Sequence, residues 1–359
     1  MVKHKIIEIN KKKIINHILH DVKTFRAKSF GPNSIKKFSP ARLENFVKSY
    51  IAKNFGIVVK NTRPTTLFIE TTRGCNFNCI MCRAGNFPKE YMNFEVFKRL
   101  ADTFSDSFFL FPYAAGEPFL NKEFYLMLKY ASYKNFYTFV TSNFSVIDPE
   151  KFIKTGTDEI AVSIDSLDES KFKKIRVNGD LNLVIKNLEK LIQLKKRMKY
   201  KKPTISLKMV VMKENIDEVK DIIEFGHKIG IEKFYIETVF VAEFAKFDVG
   251  LPGREDIEKI KMTLKDFKKR GIKIRFSPYC GFEKGDFFSG FCHFAFFSLA
   301  IDIKGNAFPC CFLFVKPERT FGNVFDNLEG VMERRHKFLK DFRKKIPNIC
   351  QGCPLYYKP

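Results

Sequence analysis

Cys75, Cys79 and Cys82 form a Cys-x3-Cys-x2-Cys triplet on one short stretch of chain. Three thiolates so closely spaced can hold three corners of an iron–sulfur cubane, whereas a saturated cluster takes four. No fourth cysteine or histidine stands nearby in the sequence, so one iron would keep an open position, as catalytic metals do. An open iron on a low-potential cluster can chelate an amino and a carboxylate group of one ligand and pass that ligand an electron. The competing chemistry is a zinc knuckle that borrows a distant fourth ligand. Six more cysteines follow in the tail: Cys280, Cys292, Cys310, Cys311, Cys350 and Cys353. They are read as metal ligands or reactive thiols before disulfides.

The elements that must position these residues are legible as alternating patterns. β-rich runs occur at 66–71, 108–111, 136–140, 160–164, 205–211 and 234–237, with helical stretches at 94–104, 123–133, 183–198, 219–228 and 254–269. Six strand–helix units in series predict an α/β fold with a parallel sheet under covering helices, open or barrel-like. Six units fall short of a complete eightfold barrel. Near Arg270 the rhythm is expected to stop. A hairpin signal follows at 299–308 around Lys304-Gly305-Asn306, then a basic helix and a final Cys-x-x-Cys. Upstream, Ser39-Pro40 reads as a helix start, with Leu43, Phe46, Val47, Tyr50 and Ile51 on one apolar face. An apolar stretch over 6–19 is ambiguous between strand and helix.

The 359 residues carry 64 Lys+Arg against 40 Asp+Glu, a net +24. Between Met1 and Lys60 there are 14 Lys+Arg and 3 Asp+Glu, a net +11. Apolar content of 45% excludes wholesale disorder. No apolar run reaches the length that spans a bilayer, and the N-terminus lacks the pattern of a secretory signal. The expectation is a cytoplasmic protein, or one peripheral to a membrane. A lysine- and phenylalanine-rich composition is also what an AT-rich coding sequence produces.

Arg73-Gly74-Cys75-Asn76-Phe77-Asn78-Cys79-Ile80-Met81-Cys82 resembles the signature loop of the radical S-adenosylmethionine (SAM) superfamily, with Met81 where an aromatic residue often stands. The resemblance implies a partial (β/α)6 TIM-type barrel and a [4Fe–4S] cluster with an open iron that binds SAM. Gly116-Glu117-Pro118 resembles the family's glycine–glutamate motif for the SAM amino group, with Ala115 in place of its first glycine. Thr141-Ser142-Asn143 and Ser163-Ile164-Asp165 end the third and fourth strands, where the family carries further SAM contacts. Arg176, in Ile175-Arg176-Val177-Asn178-Gly179, resembles the arginine that meets the SAM carboxylate. Glu237 closes the sixth strand and is assigned to the substrate side. The cofactor-binding expectation is therefore Gly116, Glu117, Asn143, Ser163, Asp165 and Arg176.

Cys292-x12-Gly305-x4-Cys310, followed by Cys350-x2-Cys353, resembles the twitch or SPASM module. That implies one auxiliary [4Fe–4S] cluster on Cys292, Cys310, Cys350 and Cys353; a structural zinc site is the alternative. Cys311 occupies a place where some twitch-type epimerases keep a hydrogen-atom donor. Cys280 reads as inert or as an alternative ligand. The expected divisions are a basic, partly amphipathic segment 1–62, a barrel 63–271 and a cluster module 272–359.

The resemblance implies a radical enzyme that cleaves SAM with an electron from ferredoxin or flavodoxin and abstracts hydrogen from a substrate carbon, with a peptide or protein as leading substrate. A lipid or lipid-linked small molecule presented through 1–62 is the runner-up. A non-catalytic zinc or iron–sulfur protein binding RNA is the distant alternative; no RNA-binding motif supports it, and nucleic acid is not the expected partner.

Overall fold

The computed structural model describes residues 37, 39–240, 248–280, 292–313, 317–345, 347–350 and 353. Stretch 6–19 lies outside them.

Ten strands form one sheet: β1 Thr66–Ile69, β2 Phe109–Phe111, β3 Tyr137–Ser142, β4 Glu159–Ser163, β5 Thr204–Val211, β6 Lys233–Thr238, β7 Ile274–Ser277, β8 Ser298–Ile301, β9 Asn306–Phe308 and β10 Gly322–Asn323. The order is β7-β6-β5-β4-β3-β2-β1-β8-β9-β10. Pairing is parallel from β7 to β8 and antiparallel from β8 to β10. This is an α/β partial barrel of the TIM type: the sheet curves but does not close.

Side chains of a strand alternate between faces, and the two faces here differ in kind. Leu67, Ile69, Leu110, Val140, Ile160, Val162, Leu207, Met209 and Ile236 enter the main core beneath the helices. The alternate residues Phe68, Phe111, Phe139, Lys208, Tyr235 and Glu237 line the inner hollow. Helix Leu181–Arg197 shows how the outer layer forms. Asp180 caps it by accepting from Leu183 N, and Leu181, Val184, Leu188, Leu191 and Leu194 bury one stripe; such a cap contributes about 1 kcal/mol.

The strand rhythm does not stop near Arg270. β7 adds a seventh parallel strand beside β6, and β8 pairs in parallel with β1, Leu67 opposite Leu299. The sheet therefore runs unbroken across the expected boundary at 271. Only the tertiary partner reveals this, because a four-residue edge strand carries too little alternation to stand out.

The expected N-terminal helix is Pro40–Phe55, capped by Ser39 and closed by left-handed Gly56. Its Phe46 and Tyr50 are buried with Ala295, Phe296, Phe297, Leu339 and Phe342, the Phe46 and Phe297 rings 5.6 Å apart. Leu43 remains 43% exposed. Of that apolar face Phe46 and Tyr50 are buried inside the molecule, while Val47 and Ile51 are half-buried. Buried Arg42 secures the helix by donating to the carbonyls of Lys37, Ser105, Lys134 and Asn135. No helix among the described residues is long and apolar enough to cross a membrane.

Candidate active site

The cysteine loop is stitched to its neighbours by backbone. Gly74 sits at φ +85°, a left-handed conformation that favours glycine. Its N–H donates to Ala115 O at 2.9 Å, and its carbonyl accepts from Glu117 N at 3.1 Å. A Cβ on Gly116 would stand 2.5 Å from Gly74 O and 2.6 Å from Thr72 O, so glycine alone permits this approach. On the other side, Asn78–Cys79 pairs antiparallel with Arg176–Val177, and Ile80 N donates to Ile175 O at 3.0 Å.

Around the thiols stand donors suited to anionic sulfur. Phe77 N lies 3.4 Å and Asn143 Nδ2 3.6 Å from Cys75 Sγ, and Ala84 N lies 3.4 Å from Cys82 Sγ. Arg176 Nη1 is 4.0 Å from Cys79 Sγ. Burial pushes the Cys75 thiol up to about 11 and the Cys79 thiol up to about 12, so loading iron must displace protons. Among the described residues no three Cys, His, Asp or Glu stand closely enough to hold a single metal ion. A cubane binds its cysteines at separate corners and asks for no such gathering. The donor set fits it: three thiols border one cavity, and buried Arg176 Nε beside them lacks a hydrogen-bond partner.

Glu117 is buried, with Oε1 accepting from Ser142 Oγ at 2.8 Å and Phe119 N at 3.2 Å, and Oε2 from Asn143 N at 2.7 Å. Burial outweighs these bonds and pushes its carboxyl up to about 7. Gly116, Glu117, Asn143, Ser163 and Arg176 all line the cavity. Asp165 does not: it is fully buried behind Arg176, 2.6 Å from Nη2, and its other oxygen accepts from Val210 N at 2.7 Å. The strand-end carboxylate is thus the anchor of Arg176, a relation that residue order alone does not show.

The cavity occupies about 1350 Å³, with Cys75, Cys79 and Cys82 among its lining. Glu237 lines it too, bound to Lys208 Nζ at 2.8 Å. Cys311, Tyr113, Tyr279 and Phe312 add to the wall, and the Phe312 ring stacks on Phe240 with centroids 4.0 Å apart. Sequence reasoning missed Tyr113, Lys208 and Tyr279; a lysine alternating inward within an apolar strand was the available signal for Lys208.

Cys292, Cys350 and Cys353 border the small core built by helices Pro40–Phe55 and Leu328–Lys344. Cys310 and Cys311 border another core on the inner face of β1 and β8. Burial holds the Cys292 thiol up to about 11, with Cys310 adding to the effect. Burial and the proximity of Cys292, Cys310 and Cys353 raise Cys350. Cys310 thus stands near enough to Cys292 and Cys350 to raise both thiols. Cys280 stands apart, its backbone N–H donating to Thr238 Oγ1 at 3.2 Å.

Residues 69–226 match the family model of the radical SAM superfamily, and residues 292–354 match that of an iron–sulfur cluster-binding domain, SPASM. A GTP 3',8-cyclase of Clostridium botulinum (strain Hall) is 29% identical over 193 residues, covering 50% of this chain and 58% of that protein. The chain thus spans little more than half of that curated relative. Among solved structures, Streptococcus suis SuiB bound to S-adenosylmethionine superposes with a TM-score of 0.66 at 16% identity, over 96% of this chain and 82% of that one. SuiB bound to its precursor peptide SuiA gives 0.64 at 15% identity, with the same coverages. At such identities the likeness shows the fold.

Proposed function

Because the chain belongs to the radical SAM superfamily and ends in a SPASM-type iron–sulfur module, we propose that it cleaves SAM reductively and uses the resulting radical on a substrate carbon, in a peptide or protein. One observation carries the reading: the cysteine loop, the Gly116-Glu117 loop and Arg176 are locked together around one end of a single large cavity.

In this reading Cys75, Cys79 and Cys82 hold a [4Fe–4S] cluster, and Cys292, Cys310, Cys350 and Cys353 hold an auxiliary one. When bound, the first cluster and SAM supply a 5′-deoxyadenosyl radical, given one electron from a donor such as ferredoxin or flavodoxin. The protein's own contribution is placement. Glu117 and Asn143 offer oxygen acceptors to the SAM amino group. Ser163 supplies a hydroxyl, and Arg176, braced by Asp165, presents its guanidinium to negative charge. The aromatic wall around Phe111, Phe139 and Phe312 keeps water from a reactive carbon.

Peptide substrates are favoured over nucleotides by the charges beside the thiols. Arg176 is paired with Asp165 and Lys208 with Glu237, so neither of these two cations is uncommitted for a triphosphate. Lys208 and Glu237 side by side match the carbonyl and N–H of an amide. Cys311 lines the same cavity, and in this reading it returns a hydrogen atom to the substrate radical, which makes epimerisation one outcome.

The test is anaerobic reconstitution with iron and sulfide, then dithionite and SAM. Release of 5′-deoxyadenosine, lost in Cys79→Ala, supports the reading; a colourless protein carrying only zinc overturns it.

A further inference from the structure

The far end of the same cavity has a different character. On the inner face of the sheet, β6 and β7 run side by side, Tyr235 opposite Arg275, and Phe234 N donates to Lys273 O at 2.9 Å. Because alternate residues share a face, Lys233, Lys273 and Arg275 turn towards the same hollow, and all three line it. Lys268, from the last turn of helix Arg254–Lys269, joins them. Against these four cations stands Glu159, which lies 3.3 Å from Lys233 Nζ and accepts hydrogen bonds from Tyr137 and Tyr235. Among the described residues no acidic side chain pairs with Lys268, Lys273 or Arg275.

Lys268, Lys273 and Arg275 are exposed and Lys233 is half-buried, yet all four border one cavity. Burial together with Arg275 and Lys273 disfavours the charged form of Lys233. Like charges held together at the mouth of a low-dielectric hollow focus a positive field and favour an anionic ligand. Among the described residues β7 is the end strand of the sheet and pairs only with β6. An extended peptide laid along such an edge gains main-chain hydrogen bonds, and its alternate side chains repeat at the spacing of Lys273 and Arg275.

We propose that the rim formed by Lys233, Lys268, Lys273 and Arg275 is a docking site for an acidic stretch of the peptide substrate, held beside β7 while another part of the same chain reaches the thiol end of the cavity. This rests on the peptide reading and adds to it a recognition element: carboxylates remote from the reacting carbon, bound by charge-assisted hydrogen bonds.

The test uses reconstituted holoenzyme and a fluorescein-labelled octaglutamate peptide, followed by anisotropy at about 150 mM salt, where long-range attraction is screened. Lys268→Glu/Lys273→Glu/Arg275→Glu should weaken binding at least tenfold. Lys186→Glu/Lys196→Glu/Arg197→Glu, which makes the same change in net charge on an exposed helix, should leave it within twofold. The glutamine versions of the rim substitutions, checked by circular dichroism and SAM binding, should also weaken it if charge reversal perturbs folding. Equal weakening by both triple variants reduces the effect to net charge and overturns the proposal. So does GTP, or phosphatidylglycerol vesicles, binding at the rim in place of the peptide. If the rim fails while a peptide is still modified, the peptide reading stands; if GTP is consumed and no peptide is altered, both fall.

Discussion

Arg176 joins the two sides of the cysteine loop: its guanidinium lies 2.6 Å from the Asp165 carboxylate and 4.0 Å from Cys79 Sγ. A buried cation so close to the Cys79 sulfur favours its ionised form, and Asp165 fixes where that cation sits.

Asp165→Asn should leave Arg176 buried without its counter-charge. Removing one partner of a buried pair costs about 3–5 kcal/mol, so urea denaturation of the apoprotein should show a loss of that order. SAM affinity of the reconstituted variant should fall as well. Unchanged stability would show that Arg176 finds another partner.

Gly116→Ala would force a Cβ to 2.5 Å from Gly74 O. The two loops must then separate, displacing Glu117 and the cysteine loop together. The variant should incorporate less iron and bind SAM at least tenfold more weakly, measured by iron analysis and equilibrium dialysis, while Gly253→Ala is a tolerated comparison, since a Cβ there would stand 3.7 Å from its nearest neighbour, Asp256 Oδ2.

The Glu117 carboxyl is raised from 4.5 to about 7 because burial disfavours its charge. Folding then favours the protonated form: its stabilising effect is complete below about pH 4.5 and is lost as pH rises towards 7. At 1.36 kcal/mol per pKa unit this is on the order of 3 kcal/mol. Apoprotein stability should decline over that window by urea denaturation, and Glu117→Gln should remove this part of the slope.

Cys311→Ala separates the outcomes of radical chemistry. If Cys311 returns the hydrogen atom, solvent deuterium enters an inverted product in the parent protein and disappears in the variant, while 5′-deoxyadenosine is still formed. Mass spectrometry and chiral amino-acid analysis read both quantities. Retained inversion with deuterium in the variant would remove Cys311 from that role.

The triplet Cys75-x3-Cys79-x2-Cys82, the six strand–helix units and the tail pattern of Cys292, Cys310, Cys350 and Cys353 were all legible in the sequence. Ligand spacing and hydrophobic period are local properties, set by chain geometry before any tertiary contact forms. They suffice for the resemblance to the superfamily, the partial barrel and the two sets of cysteines proposed as cluster ligands. What required the fold was every relation between distant segments. Asp165 became the brace of Arg176 because β4 and the ladder at Arg176–Val177 meet behind Cys79. Phe46 on the apolar face of Pro40–Phe55 found Phe297, since an amphipathic pattern specifies burial but not the partner. β7 and β8 joined the sheet through pairings more than thirty residues away. Four of the 64 basic residues acquired a common place only when β6, β7 and one helix end turned Lys233, Lys268, Lys273 and Arg275 towards a single hollow, because direction across a strand is meaningful only once the sheet has an inside.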